Sequence, residues 1–309
     1  MDISFKSLAK CLLCPRNCGV DRFAGSSGYC HSDYHYNISA VVAHHGEEPV
    51  ISGKHGICNI FFSHCNLQCV YCQNFQISQN ASAHQPAYRD VEKILADIQH
   101  HLNSGCRAIG FVSPSHQIPQ MASIIRAFEH HQPRPVFVYN SNGYDKVETL
   151  RKLEGLIDIY LPDLKYMDAG LALTYSDAKD YPEVAQKGLK EMFRQKGAAL
   201  HYLDTGQAES GIIIRHLVLP GHIQNSLDVL HFIAEELSPK IHVSLMSQYY
   251  PVYKATENDT INRSLSRKEY DTVVNEAEKL GLTRGWIQEL SSHDHYRPDF
   301  RNTHPFENT

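Results

Sequence analysis

The stretch "ICNIFFSHCNLQCVYC", residues 57–72, runs from an apolar segment straight into a loop with three cysteines spaced C-x3-C-x2-C: Cys65, Cys69 and Cys72. Its first seven residues read as a strand, and a rhythm starts there. A helical pattern follows at 88–105, with apolar spacing of three and four and a closing glycine. Further strands are predicted at 106–113, 134–143, 156–165, 211–221 and 240–249. Helices are predicted at 118–132, 146–155, 226–238 and 266–282, with a helical stretch in two pieces around Pro182. Six alternations call for parallel strands joined by helical crossovers. Both an open doubly wound sheet and an incomplete barrel satisfy that pattern. In either, chemistry gathers at the C-terminal strand ends. The unusual residues fall there: the three cysteines, then SPSH (113–116), NSNG (140–143), PDLK (162–165), LPGH (219–222) and MSQYYP (246–251). Rossmann and P-loop glycine patterns are absent, which counts against the usual nucleotide sites.

The chain has 309 residues, 42% hydrophobic and 20% charged, the profile of a globular protein. A net charge of -5 offers no broad basic field to nucleic acid or anionic membranes. The first residues carry no apolar leader and no long apolar segment follows, so a cytoplasmic location is expected. Nine cysteines in such a chain point to metal or redox chemistry, and eight of them precede residue 73. Of the histidine pairs, His100-His101 and His130-His131 fall near predicted helix ends and read as solvated termini. Cys58 and Cys106 lie in strand-like runs and read as core thiols.

Three thiolates on one short loop hold a metal at three points. A structural zinc site wants a closed shell of four ligands, and His64 is a candidate fourth. A cubane cluster has four irons, each taking one thiolate, so three cysteines leave one iron open. An open position is where a metal site does chemistry.

The triad, with aromatic Tyr71 before its last cysteine and placed after the first strand of a (βα)6 pattern, resembles the radical S-adenosylmethionine (SAM) superfamily. "NSNGYD", "DIYLPDLKYMD" and "IRHLVLPGH" extend the likeness to the branch around the pyruvate formate-lyase activating enzymes, in particular their uncharacterised Fe–S homologues. The resemblance spans about residues 9 to 290. It implies a partial (βα)6 TIM-like barrel over 57–290, an irregular Cys-rich module over 1–56 with one strand at 37–46, and a polar tail over 291–309. It also implies a [4Fe-4S] cluster on Cys65, Cys69 and Cys72, with SAM chelating the fourth iron. Reductive cleavage would then give methionine and a 5′-deoxyadenosyl radical that takes hydrogen from a substrate. Flavodoxin or ferredoxin is the implied electron donor, and the implied substrate is a glycyl radical enzyme or else a small molecule or a different peptide.

Carried over motif by motif, Tyr71, Asp163, Lys165 and Arg215 lie beside SAM. Where the family often reads GGE, this chain has SPSH, so Ser113, Ser115 or His116 takes that contact. Asn140-Ser141 replaces an Asp-Thr pair, which removes the charge for a monovalent cation and leaves Ser141 as a cofactor contact. No catalytic residue is assigned.

A second set, Cys11, Cys14, Cys18 and Cys30, has four thiols for a closed site, zinc or a second Fe–S cluster, with "GSSG" (25–28) as the turn that returns Cys30. Residues 247–267 read as a lid or an anchored loop, with Tyr249, Tyr250 and Tyr253 as candidate lining. The tail is expected to cover one end of the barrel or to be disordered, and His293-x-His295 is a weak metal pattern. The competing reading is a non-catalytic zinc or Fe–S scaffold or sensor.

Overall fold

The computed structural model describes residues 3–25, 28–81, 86–87, 90–294, 297–302 and 304–306. The strands are β1 (Ile38–His44), β2 (Ile57–Phe62), β3 (Ala108–Val112), β4 (Val136–Ser141), β5 (Ile159–Pro162), β6 (His201–Tyr202), β7 (Ala208–Leu217), β8 (His242–Met246) and β9 (Gly285–Ile287). The helices are α1 (Pro49–Ser52), α2 (Phe75–Ser78), α3 (Val91–Asn103), α4 (Ile118–Phe128), α5 (Val147–Lys152), α6 (Ala169–Ser176), α7 (Tyr181–Lys196), α8 (Ile223–Phe232) and α9 (Arg267–Lys279). Capping residues set several starts. Asp90 accepts from Glu92 N at the head of α3, Asp168 from Leu171 N at α6, and Ser266 with Glu269 forms a capping box on α9. Pro182 sits inside the first turn of α7, where a missing N–H costs nothing, so the helical break falls before it.

The strand order is β1-β2-β3-β4-β5-β7-β8-β9, with β6 on β7. Every pairing from β2 to β9 along this path is parallel, and β1 is antiparallel to β2. A doubly wound sheet reverses its order at a switch point. This one never does, and among the described residues its two ends do not pair, so it is a partial barrel. The six expected parallel strands are all present. Two were not foreseen: β6, of two residues, and β9, whose "GWI" is too short for periodicity to register. The strand expected at 37–46 is β1, hydrogen bonded along β2 as an edge of the same sheet.

Side-chain alternation splits the core into two layers. Cys58, Ile60, Phe62, Ile109 and Phe111 face outward onto Ile94 and Ile98 of α3 and Met121 and Ile125 of α4. Ile57, Ala108, Val136, Val138, Ile159, Leu161 and Ile213 fill the barrel interior at its floor. Cys58 and Cys106 are buried core thiols, as expected. Among the described residues, no helix is long and apolar enough to cross a membrane.

Candidate functional site

Above the apolar floor, at the C-terminal strand ends, lies a cavity of about 680 Å³. Its wall includes Cys65, Cys69, Tyr71, Cys72, Asp163, Lys165 and Arg215, brought together from three strand ends. The cysteine loop is firmly held. Asn80 Oδ1 accepts from Cys65 N (3.1 Å), Val70 N donates to Tyr175 O (2.9 Å), and Asn66 Nδ2 donates to Tyr144 O (2.7 Å). All three thiols are free. Burial pushes Cys65 up to about 12 and Cys69 up to about 11, and it raises Cys72, while the Lys165 ammonium pulls Cys69 back down. Thiolates are costly in this pocket unless a cation neutralises them, which suits a thiolate-bound metal.

The charged wall has two parts. Lys165 Nζ donates to Asp163 Oδ2 at 2.5 Å, and this pairing raises the Lys165 pKa against the cost of burial. Arg215 is clamped by two carboxylates: Nε to Glu48 Oε1 (2.8 Å), Nη2 to Glu48 Oε2 (2.6 Å), and Nη2 also to Glu47 Oε2. Asn59 Nδ2 donates to Glu47 Oε1 at 2.8 Å. Despite full burial, these partners hold Glu47 down to about 2. Gly110 of β3 makes room for this arrangement, because a Cβ there would stand 2.0 Å from Asn59 Oδ1. Sequence reasoning missed Glu47 and Glu48. Their only signal was two adjacent acids at the end of an apolar strand run.

Of the SPSH residues, Ser113 alone lines the cavity, its backbone left-handed at φ 50°. Ser115 and Ser141 turn away. Their hydroxyls donate to the buried Asp145, Ser115 at 2.6 Å, and Tyr139 OH joins them at 2.7 Å. His116 is fully buried, with Nε2 on Ser63 O at 2.9 Å. Ser115 and Ser141, expected as cofactor contacts, are thus tied with Tyr139 to Asp145, and His116 to the Ser63 backbone; none of the three is among the cavity-lining residues. The candidate lid is an anchored loop: Tyr249 OH donates to Ile261 O, Tyr253 stacks on Phe75, and Arg297 lies over Tyr250. None of the three tyrosines is among the cavity-lining residues, whereas Gln248 is. Described residues of the tail reach the cavity. Phe300 and Phe306 pack on Phe61, and Pro298 and Phe306 line the cavity.

Cys11, Cys14, Cys18 and Cys30 surround a separate, very small cavity. Burial raises Cys14 to about 12, and the other three thiols add to that. Among the described residues no group of three or more His, Cys, Asp or Glu is arranged to hold a metal ion, this set included. That arrangement is what a single zinc ion needs; neither the three thiols of the barrel loop nor the four N-terminal ones need converge on one ion to bind a cubane, which takes each thiolate on a different iron. Ser26 and Ser27 of the GSSG turn lie outside the described residues, as does His295 of the His293-x-His295 pattern.

The family of 4Fe-4S single cluster domains matches residues 51–173. The uncharacterized protein MJ0674 of Methanocaldococcus jannaschii is 31% identical over 288 residues, covering 91% of this chain and 78% of that protein. The chain belongs to the family of this archaeal protein. Two solved structures are similar to this chain. One is a domain of pyruvate-formate lyase-activating enzyme from Bacteroides vulgatus, 16% identical with a TM-score of 0.39, over 55% of this chain and 92% of that one. The other is Streptococcus suis SuiB bound to precursor peptide SuiA, 11% identical with a TM-score of 0.48, over 75% of this chain. The match covers 48% of SuiB, so the chain spans about half of that protein.

Proposed function

We propose that Cys65, Cys69 and Cys72 hold a [4Fe-4S] cluster, that SAM binds beside it in the same cavity, and that the chain is a radical SAM enzyme. One observation carries the reading: three free thiols, two buried and one half-buried, share a 680 Å³ cavity with two cations, three carboxylates and no fourth cysteine in its wall. That volume lies in the ordinary range of ligand pockets. The bound pair supplies one-electron reductive cleavage of the SAM sulfonium, giving methionine and a 5′-deoxyadenosyl radical for hydrogen abstraction. The protein's own part is positioning and exclusion of water. Lys165 and Arg215 are placed for a carboxylate, Asp163 for an amino group or ribose hydroxyls, and Ser113 for the contact its motif position suggests. Glu47 and Glu48 fix the Arg215 fork so that it does not reorganise on binding. Pro298 and Phe306 in the cavity wall narrow the space left for a substrate and favour a small molecule or a peptide end over a folded protein's loop, so activation of a glycyl radical enzyme is the second reading. The electron donor is of the flavodoxin or ferredoxin kind. A non-catalytic scaffold would have no use for the charged wall beside its thiols.

The test is anaerobic reconstitution with iron and sulfide, then reductant and SAM. We expect 5′-deoxyadenosine and methionine to form. Cys65→Ala, Cys69→Ala and Cys72→Ala should each lose the cluster's iron and EPR signal, while Cys106→Ala keeps them. No SAM cleavage together with no SAM-dependent change in the EPR signal would overturn the reading.

A further inference from the structure

Each of the three barrel cysteines meets a hydroxyl or amide side chain from a different part of the chain. Asn142 Nδ2, in the loop after β4, donates to Cys65 Sγ at 3.3 Å. Ser78 Oγ, at the end of α2, donates to Cys72 Sγ at 3.2 Å. Ser176 Oγ, at the end of α6, lies 3.0 Å from Cys69 Sγ. Once Cys69 is a thiolate on iron it has no proton to give, so Ser176 must be the donor there. That choice orders a longer chain. Ser176 Oγ then accepts from Tyr166 OH at 2.8 Å, and Tyr166 in turn accepts from Tyr71 OH at 2.5 Å. Tyr71, Tyr166 and Ser176 are all buried, at 6%, 0% and 0% exposure, so no water competes for these bonds. The aromatic residue of the cysteine motif thus begins a line of hydroxyls that ends on the cysteine three positions before the last.

Resting on the cluster assignment above, we infer that Asn142, Ser78 and the Tyr71–Tyr166–Ser176 relay set the reduction potential of the cluster. Reduction adds negative charge, and part of that charge sits on the thiolate sulfurs. Donors aimed at sulfur stabilise the reduced form and raise the potential. Donors in series polarise one another, so Tyr166 acts on Cys69 through Ser176 without touching it. These are positioning residues that act through the ligands.

The experiment is an EPR-monitored potentiometric titration of the reconstituted protein, with iron counted in each chain. Ser78→Ala and Ser176→Ala should move the midpoint to more negative potential. The expected loss of reduced cluster at fixed potential is roughly tenfold, which is about 59 mV for a one-electron couple. Tyr166→Phe, which leaves all three sulfur contacts in place, should shift it the same way by less. Ser176→Thr keeps the hydroxyl and should retain the wild-type midpoint. Should an alanine variant lose its iron, Tyr166→Phe and Ser176→Thr decide the question. Unchanged midpoints in fully loaded Ser78→Ala, Ser176→Ala and Tyr166→Phe overturn the inference, as does loss of iron in all four variants, which would mean retention and not tuning. A wild-type chain that takes up no cluster at this triad overturns the functional reading and this inference with it. A loaded wild type with unshifted variants overturns this inference alone.

Discussion

Arg215 shows how one side chain's meaning depends on its neighbours. From its motif position it reads as a free cation waiting for a ligand. In the fold it is already clamped by Glu47 and Glu48, with side chains 12%, 7% and 5% exposed. Removing the one cation of this buried set leaves two carboxylates uncompensated, at a cost of about 3–5 kcal/mol. Arg215→Met should therefore lower the denaturant midpoint strongly, and Glu47→Gln, which keeps the side-chain shape and leaves one acid for the one cation, much less. Equal losses in the two variants would show that net charge is not what the clamp balances. The cysteine triad was legible in the sequence because its three thiols fall within eight consecutive residues. Glu47 and Glu48 were not, because their partner lies 168 and 167 positions away.

Elements were legible where they are long and capped. Helix α9 begins at the capping box of Ser266 and Glu269, and Glu269 also binds Arg263 through both carboxylate oxygens and accepts from Gly221 N. Ser266→Ala should cost about 1 kcal/mol in chemical denaturation while leaving iron content untouched. A loss of iron in that variant would mean that α9 reaches the site. Short elements were not legible. Strand β9 has three residues, and its place in the sheet is fixed by pairing to β8 at Val243, Ser244 and Leu245, not by its own pattern. Helix α8 runs on as a π-turn through Leu237, a change of winding that an apolar spacing of three and four does not report.

Across the molecule, two interior histidines link stability to pH. His216 Nδ1–H donates to Leu164 O, so Nε2 accepts from Ser226 Oγ, and the ring is held neutral. Burial lowers His216 from 6.5 to about 4 and His116 to about 3. Above pH 6.5 neither folded nor unfolded chain protonates them. Below 6.5 the unfolded chain takes up protons that the folded one refuses. Stability therefore falls with pH across the window from 6.5 to about 4, by about 1.4 kcal/mol per pH unit for each histidine. Denaturation midpoints should drop between pH 7 and pH 5, and His216→Gln should flatten that drop. An unaltered slope in the variant would remove His216 as its source.

The sequence by itself determined the parallel βα architecture, the triad of thiols on the first crossover and the strand ends where the site had to lie, because periodicity and short motifs are local. Tertiary structure alone decided that the sheet runs in order as a partial barrel, that Ser115, His116 and Ser141 face away from the cavity, and that Glu47 and Glu48 complete it. Those outcomes depend on which side chains meet across the barrel. Hydrogen bonds and ion pairs are made between groups distant in the chain, and only closure of the sheet brings them within reach.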